Sequence, residues 1–141
     1  MALHDRGETR SSVQPRAMAA GGQRSLTEAE ITHFDLVAPS TARRARLACV
    51  RVLPPGAAGM TVGRWVLLRA GHERRHGLIA HELVHVEQWL DAGWWRFLAR
   101  YLADYVARRR AGLSHRAAYL AIPAEEEARQ RAEVWSAGSW L

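Results

Sequence analysis

Two histidines and a glutamate stand at a spacing that suits metal chemistry, in the segment His81-Glu82-Leu83-Val84-His85. Residues four apart on a helix lie on one face, one turn apart, so both imidazoles can bind a single metal ion. Glu82 is turned by about 100° from His81, where its carboxylate reaches a water beside the metal and can act as a general base. The segment therefore predicts a hydrolytic metal site, with Zn²⁺ as the metal.

The neighbours of this motif favour a half-buried helix. Apolar residues flank it on a shared face and can anchor the helix in a core: Leu78, Ile79, Leu83, Val86 and Leu90. The alternative is a pair of surface histidines on an amphipathic helix. The uncharged neighbours argue against it, because exposed helices usually carry charges at such positions.

Two histidines leave a catalytic zinc site incomplete, since such sites usually have three protein ligands and a water. His72 and His76 repeat the four-residue spacing but fall in a glycine-flanked turn, and nothing around His115 marks it out. The segment 122–129 opens a helix with the three carboxylates Glu125–Glu127. Acids in a first helical turn also stabilise the helix through its dipole. On residue chemistry alone, the ligand and the helix-start interpretations both stay open.

The histidine motif and the later glutamate helix together resemble the gluzincin zinc metallopeptidases, especially their minimal single-domain members. The stretch His81–Gln88 (HELVHVEQ) is also similar to small bacterial HELTHVxQ-type domains found beside contractile injection systems. The resemblance covers about residues 46–135. It implies a bacterial zinc metallopeptidase domain with a zincin-like fold.

The resemblance also assigns roles to residues. His81 and His85 match the two zinc histidines, and Glu82 matches the general base. Glu125, with a small alanine three positions on, matches the third zinc ligand, and Glu127 is the second choice. Arg129 stands where many relatives carry an aspartate that orients a zinc histidine, so this chain departs from the family there.

Two further features follow from the resemblance. The family places a strand before the active helix, and the free edge of that strand holds an extended peptide; Thr61–Leu68 is in the matching position. The anionic intermediate of hydrolysis also needs a neutral or cationic donor. The candidates are Tyr101, Tyr105, Tyr119 and His115.

The chain as a whole predicts an α+β fold, in which a short β-hairpin or sheet precedes a mainly helical bundle carrying the histidine motif. We expect residues 1–25 to form a disordered tail and residues 26–141 a single zincin-like domain.

A short helix is expected over Leu26–Leu36, with Ser25 as its cap and Glu28 completing a capping box. Two strands, Arg46–Leu53 and Thr61–Leu68, are expected to pair in antiparallel fashion. Helices are expected over about Arg74–Leu90, Trp94–Arg110, from Ser114, and from Pro123 to about Trp135.

The apolar residues of the second long helix predict a core-packing stripe. They recur at three- and four-residue steps: Trp94, Phe97, Leu98, Tyr101, Leu102, Tyr105 and Val106. Most of the tryptophans are likewise expected in the core, with a partner surface as the alternative: Trp89, Trp94, Trp95, Trp135 and Trp140.

Composition narrows the function classes. The 141 residues carry 20 basic side chains, all arginine, against 14 acids, for a net charge of +6. Because this excess is spread thinly along the chain, nucleic-acid binding is disfavoured.

The single cysteine, Cys49, excludes an internal disulfide framework and a multi-cysteine zinc site. No apolar run is long enough to span a membrane and no secretory signal is visible, so a cytoplasmic protein without membrane contact is expected.

The function expected from these features is zinc-dependent hydrolysis of an extended peptide or protein. The alternative is a non-catalytic, metal-binding interaction module derived from the peptidase fold, with a protein partner. An arginine-rich nucleic-acid binder is the third hypothesis.

Overall fold

The computed structural model describes residues 18–138, which form a small sheet followed by long helices. The strands are β1 (Gln23–Ser25), β2 (Arg46–Val50), β3 (Gly59–Val62) and β4 (Trp65–Arg69). The helices are α1 (Glu28–His33), α2 (Pro39–Arg44), α3 (His76–Ala92), α4 (Trp94–Arg110), α5 (His115–Leu120) and α6 (Pro123–Gly138). The predicted α+β class is confirmed. Within residues 18–138, no helix has both the length and the apolar character needed to cross a bilayer.

The sheet has the strand order β1-β2-β4-β3. Strands β2 and β4 are parallel, and the two outer pairs are antiparallel. Burial alternates along β2 and β4 because successive side chains point to opposite faces of a sheet. The inward residues form the layer on which the helices pack: Leu47, Cys49, Val66 and Leu68.

The predicted strand over 61–68 is in fact a hairpin. A two-residue turn, Gly63-Arg64, separates β3 from β4, and Val62 pairs with Trp65 across it. Gly63 has φ of 63°, and a Cβ there would lie 2.8 Å from the indole nitrogen of Trp94, so the turn requires glycine. Because the chain reverses there, β4 runs parallel to β2. The expected antiparallel pairing was wrong.

The N-terminal boundary also differs from the prediction. Strand β1 covers Gln23–Ser25, which the sequence assigns to the tail, and Gln23 pairs with Ala48 of β2. The expected tail therefore ends earlier than residue 25, because its last residues add an edge strand to the sheet. Residues 1–17 of that tail lie outside the described part of the chain.

Helix α1 is shorter than the predicted helix and begins at a different cap. Thr27, rather than Ser25, accepts a hydrogen bond from the backbone amide of Glu30, and the Glu30 carboxylate accepts one from the amide of Thr27. This reciprocal pair is a capping box two residues later in the chain than expected. It fixes α1 beside β1, where Arg24 also donates to Glu30.

Helix α3 lies at the centre of the fold and packs on the sheet, α4 and α6. Its buried residues include Ile79, Leu83 and Val86 of the expected apolar face, so the predicted half-buried helix is confirmed. The core extends from these residues to the sheet and to α6, through Ala128, Ala132 and Trp135. A motif on α3 is therefore held by packing on several sides.

Helix α4 has the predicted length but not the predicted burial. Phe97 is its one buried residue, whereas Leu102 and Val106 of the expected core stripe are exposed. Of the tryptophans, Trp89 and Trp135 are buried, Trp94 and Trp95 are exposed, and Trp140 lies outside the described residues. The core-packing expectation was therefore wrong for the outer side of α4.

Candidate metal centre

Three potential ligand atoms converge between α3 and α6. Nε2 of His81 and Nε2 of His85 are 3.2 Å apart, and Oε2 of Glu125 lies 3.2 Å from the first and 3.1 Å from the second. Tetrahedral bonds to zinc of about 2.05 Å would place their ligand atoms roughly 3.3 Å apart. The triangle fits that geometry closely, and two imidazoles with one carboxylate form a usual donor set for catalytic zinc.

Helix packing brings Glu125 to the histidines although 40 residues separate it from His85. Pro123 is the first residue of α6, which suits a residue without a backbone N–H, and Glu125 follows in the first turn. Ala128 is fully buried one turn later, facing α3. A side chain as small as alanine lets α6 approach α3 closely, so the carboxylate reaches the imidazoles.

The other two carboxylates of this turn point elsewhere. Glu126 is exposed. Glu127 accepts hydrogen bonds from Gln88 at 3.2 Å and from Arg131 at 3.2 Å, on the outer side of the helix pair. Among the described residues, the one group of three metal-binding side chains is His81, His85 and Glu125. The geometry thus favours Glu125 over Glu127 as third ligand.

Gln88 orients His85 from its far side. The Nδ1 atom of His85 lies 2.8 Å from Oε1 of Gln88, and the Gln88 amide nitrogen donates to the carbonyl of Ala124 at 3.0 Å. Since an amide oxygen only accepts, Nδ1 of His85 carries a proton, and Nε2 is the ring nitrogen that faces His81 and Glu125. Sequence reasoning assigned no role to Gln88; its position three residues after His85 was the available signal.

Tyr101 of α4 hydrogen-bonds to Glu125, the candidate third ligand. Its hydroxyl donates to Oε1 of Glu125 at 2.8 Å, which leaves Oε2 to face the histidines. Burial alone would raise the pKa of Glu125, but hydrogen bonds from His81, His85 and Tyr101 hold that pKa well below its usual range. Burial and the charge of Glu125 raise the pKa of Tyr101. In this arrangement the Tyr101 hydroxyl is directed at Glu125, one of the three candidate ligands.

Glu82 lies beside the triangle, on the side of strand β3. Its carboxylate accepts a 2.7 Å hydrogen bond from the Thr61 hydroxyl, and a Cβ on Gly59 would lie 3.1 Å from its Oε1. Burial raises the pKa of Glu82, and the nearby His85 and the Thr61 hydrogen bond oppose this rise. A buried carboxyl group with a raised pKa, next to three candidate metal ligands, is suited to accept a proton from water.

The remaining candidate donors and ligands fall outside the group formed by His81, His85 and Glu125. Tyr105 and His115 hydrogen-bond to each other at 2.7 Å. Burial and then the charge of Glu125 raise the pKa of Tyr119, which indicates that its hydroxyl is near that carboxylate. His72 contacts Arg75, and His76 contacts His33, so neither belongs to the triangle.

Arg129, the residue at which this chain departs from the family pattern, hydrogen-bonds to the backbone. Its guanidinium donates to the carbonyl of Leu120 at 2.9 Å, just before α6. Together with His81 and Gly77, Arg129 also lines an open cavity of about 330 Å³. The side chain of His81 is 19 % exposed, so the metal triangle is reached from solvent on this side.

Comparisons with protein-family models, curated proteins and solved structures found no match for this chain. The resemblance to the gluzincins therefore stays a prediction, which depends on the segment His81–His85 and on Glu125.

Proposed function

We propose that this protein is a zinc-dependent peptidase, with His81, His85 and Glu125 as the metal ligands. The observation that carries the proposal is the triangle of ligand atoms, with sides of 3.1–3.2 Å, on two packed helices. The supporting observation is a buried carboxyl group, Glu82, next in sequence to a ligand and hydrogen-bonded to Thr61. A structural metal site has no use for such a base.

Glu82 is the general base of the proposed reaction. A zinc ion held by the triangle would polarise the scissile carbonyl and lower the pKa of water. Glu82 accepts a proton from water as the oxygen adds to the carbonyl carbon. It then delivers that proton to the amide nitrogen as the C–N bond breaks. The raised pKa of Glu82 favours the first transfer, because it makes the carboxylate a stronger base.

An extended peptide is the proposed substrate class. Strand β3 lies at the edge of the sheet and packs on α3, so its outer side is unpaired among the described residues. The resemblance places the peptide along 61–68, but β4 is paired on both sides, so the edge is Gly59–Val62. Backbone pairing to this edge would bring a peptide past Glu82 with little sequence selectivity.

One observation favours the alternative, a non-catalytic metal-binding module. Glu82 is only 5 % exposed and already has a hydrogen-bond partner in Thr61, as a purely structural residue would. In that case the metal would stabilise the packing of α3 against α6. For either function, a cytoplasmic location is part of the proposal.

A cleavage screen on the zinc-loaded protein tests the proposal, with Glu82→Gln as the decisive variant. We expect the wild type to cleave quenched fluorescent peptides from a mixed library, and Glu82→Gln to bind zinc but lose at least about 100-fold in kcat. The control is Glu126→Gln, an exposed carboxylate, which should keep wild-type turnover. Unchanged turnover in Glu82→Gln would overturn the proposed role of Glu82. A zinc-loaded wild type without any cleavage would favour the interaction module.

A further inference from the structure

Large exposed apolar side chains are concentrated on helix α4. The described part of the chain exposes seven such residues, and four of them are Trp94, Trp95, Leu102 and Val106 of this helix. Trp94 still contacts Trp89 and the Gly63 turn. The other three protrude: Trp95 is 79 % exposed, Leu102 51 % and Val106 43 %. The outer side of α4 is therefore an apolar surface that the fold leaves uncovered.

These side chains form one straight line along the helix. Together with the exposed Ala99 they recur at steps of four, three and four residues. We call Trp95, Ala99, Leu102 and Val106 the outer stripe. This spacing keeps apolar residues on a single seam over three turns, which is the pattern that pairs one helix with another. Ala99 is small enough to let a second helix approach closely.

Exposed arginines lie beside the outer stripe. At 3.6 residues per turn, Arg110 and then Arg96 lie on one side of it and Arg109 on the other. The helix has a single acid, Asp104, which is half-buried and lies 3.7 Å from Arg108. No exposed carboxylate of α4 therefore offsets the positive charge beside the stripe.

We propose that the outer stripe docks an amphipathic helix of a partner protein, and that acidic residues flank the apolar seam of that helix. The apolar stripe supplies the contact area, with Trp95 as the side chain that buries the most surface. The flanking arginines form charge-assisted hydrogen bonds with carboxylates and select an acidic partner. This surface is separate from the metal centre, since Tyr101 reaches Glu125 from the inner side of α4.

The charge and the width of the outer stripe favour an acidic helix over two other occupants, a second copy of the chain and a lipid bilayer. A second copy of the chain would bring the same exposed arginines against each other across the seam, which costs energy. A lipid bilayer requires a broad apolar face. Here the stripe is one residue wide, and Phe97 on the opposite side is buried in the protein. A single acidic helix satisfies both constraints.

Binding of two matched peptides to the full chain tests the proposal. The probe is an amphipathic peptide about 20 residues long, with leucines at alternating three- and four-residue steps and glutamates beside them. The matched peptide has lysine in place of every glutamate. Calorimetry at low salt should detect binding of the glutamate peptide only, and added salt should weaken it.

Substitutions in α4 test whether the glutamate peptide binds at the outer stripe. Leu102→Glu, and separately Arg96→Glu with Arg110→Glu, should each weaken binding at least tenfold. The control Val134→Glu changes an exposed apolar residue of α6, 72 % exposed, and should bind like the wild type. All variants should keep the wild-type far-UV circular dichroism and zinc content, because the changed side chains are exposed.

Several results would overturn the proposal. One is a folded wild type that does not bind the glutamate peptide. Others are equal binding of the lysine peptide, or an equal loss in Val134→Glu. Binding to vesicles of phosphatidylcholine and phosphatidylglycerol that Leu102→Glu abolishes would identify a bilayer as the occupant. Self-association that Leu102→Glu abolishes would identify a second copy of the chain.

Discussion

The Tyr101 hydroxyl donates a hydrogen bond of 2.8 Å to Oε1 of Glu125 and so fixes the carboxylate whose other oxygen faces the two histidines. Partners that orient a metal ligand in this way typically contribute about 10–100-fold to metal affinity. We therefore expect Tyr101→Phe to weaken zinc binding by about that factor, with the fold retained. Competition with a chromophoric chelator measures the change.

Tyr105→Phe is the matched control for Tyr101→Phe. Tyr105 lies on the same helix, and its hydroxyl shares a 2.7 Å hydrogen bond with His115, which is not one of the three candidate ligands. Loss of the Tyr105 hydroxyl should leave zinc affinity unchanged. Equal zinc affinity in Tyr101→Phe and the wild type would show that the hydroxyl does not support the ligand.

Gln88 is expected to support zinc binding through His85. Its amide oxygen lies 2.8 Å from Nδ1 of His85 and keeps Nε2 directed at the triangle. Gln88→Leu retains similar volume but removes this partner, and should weaken zinc binding about 10–100-fold. Glu127→Gln is the control, because Glu127 contacts only the outer amide of Gln88 and Arg131. A larger loss in the control than in Gln88→Leu would contradict the assigned roles.

Loss of the Thr61 hydroxyl is expected to lower turnover without weakening metal binding. Its hydroxyl holds the Glu82 carboxylate at 2.7 Å, and it contacts none of the three ligand atoms. Thr61→Val should lower kcat roughly tenfold, as misplacing a general base does, while zinc content stays at the wild-type level. Thr32→Val, on the exposed side of α1, should leave both quantities unchanged. A loss of zinc in Thr61→Val would count against this division of roles.

The contact between His33 and His76 predicts a loss of stability in mild acid. Nε2 of His33 and Nδ1 of His76 are 2.7 Å apart, so one ring donates, the other accepts, and at least one is neutral. Burial lowers the pKa of His76, and the charge of Glu30 offsets this only in part. Because the pKa of His76 in the folded protein lies below its unfolded value of about 6.5, the unfolded state takes up a proton first as the pH falls. The free energy of unfolding therefore decreases as the pH falls below about 6.5.

Thermal unfolding with a chelator present checks this prediction without interference from metal binding. Between about pH 7.5 and about pH 5.5, on either side of the unfolded value, Tm should fall further in the wild type than in His76→Gln. Glutamine cannot titrate, so it removes the proton uptake. An identical fall in both proteins would exclude His76 as the source.

The spacing of residues predicted the part of the site that lies on one helix. His81 and His85 share a face of α3 because four residues make about one turn. Glu125 could be named only through the family resemblance, since the helix dipole explains acids in a first turn equally well. Its position beside the histidines depends on how α6 packs on α3, which is a long-range contact that periodicity does not encode.

Other features were predicted incorrectly or missed for identifiable reasons. The run of 61–68 is rich in β-branched and aromatic residues, so the sequence predicted one strand although Gly63 forms a tight turn. On α4, apolar residues cover such a wide arc that the pattern could not tell the buried side from the exposed one. The sequence placed Tyr101 in the core stripe and among the donors to an intermediate, but not beside Glu125, because their contact joins residues far apart in sequence.

The measurement that tests the central claim most directly is the zinc content per chain of the wild type, His85→Ala, Glu125→Gln and Glu127→Gln after purification without chelators. Elemental analysis should find close to one zinc ion in the wild type and in Glu127→Gln, and far less in the other two, because the ligand triangle is made by His81, His85 and Glu125. A folded wild type without bound metal, or a loss of zinc in Glu127→Gln alone, would contradict the account.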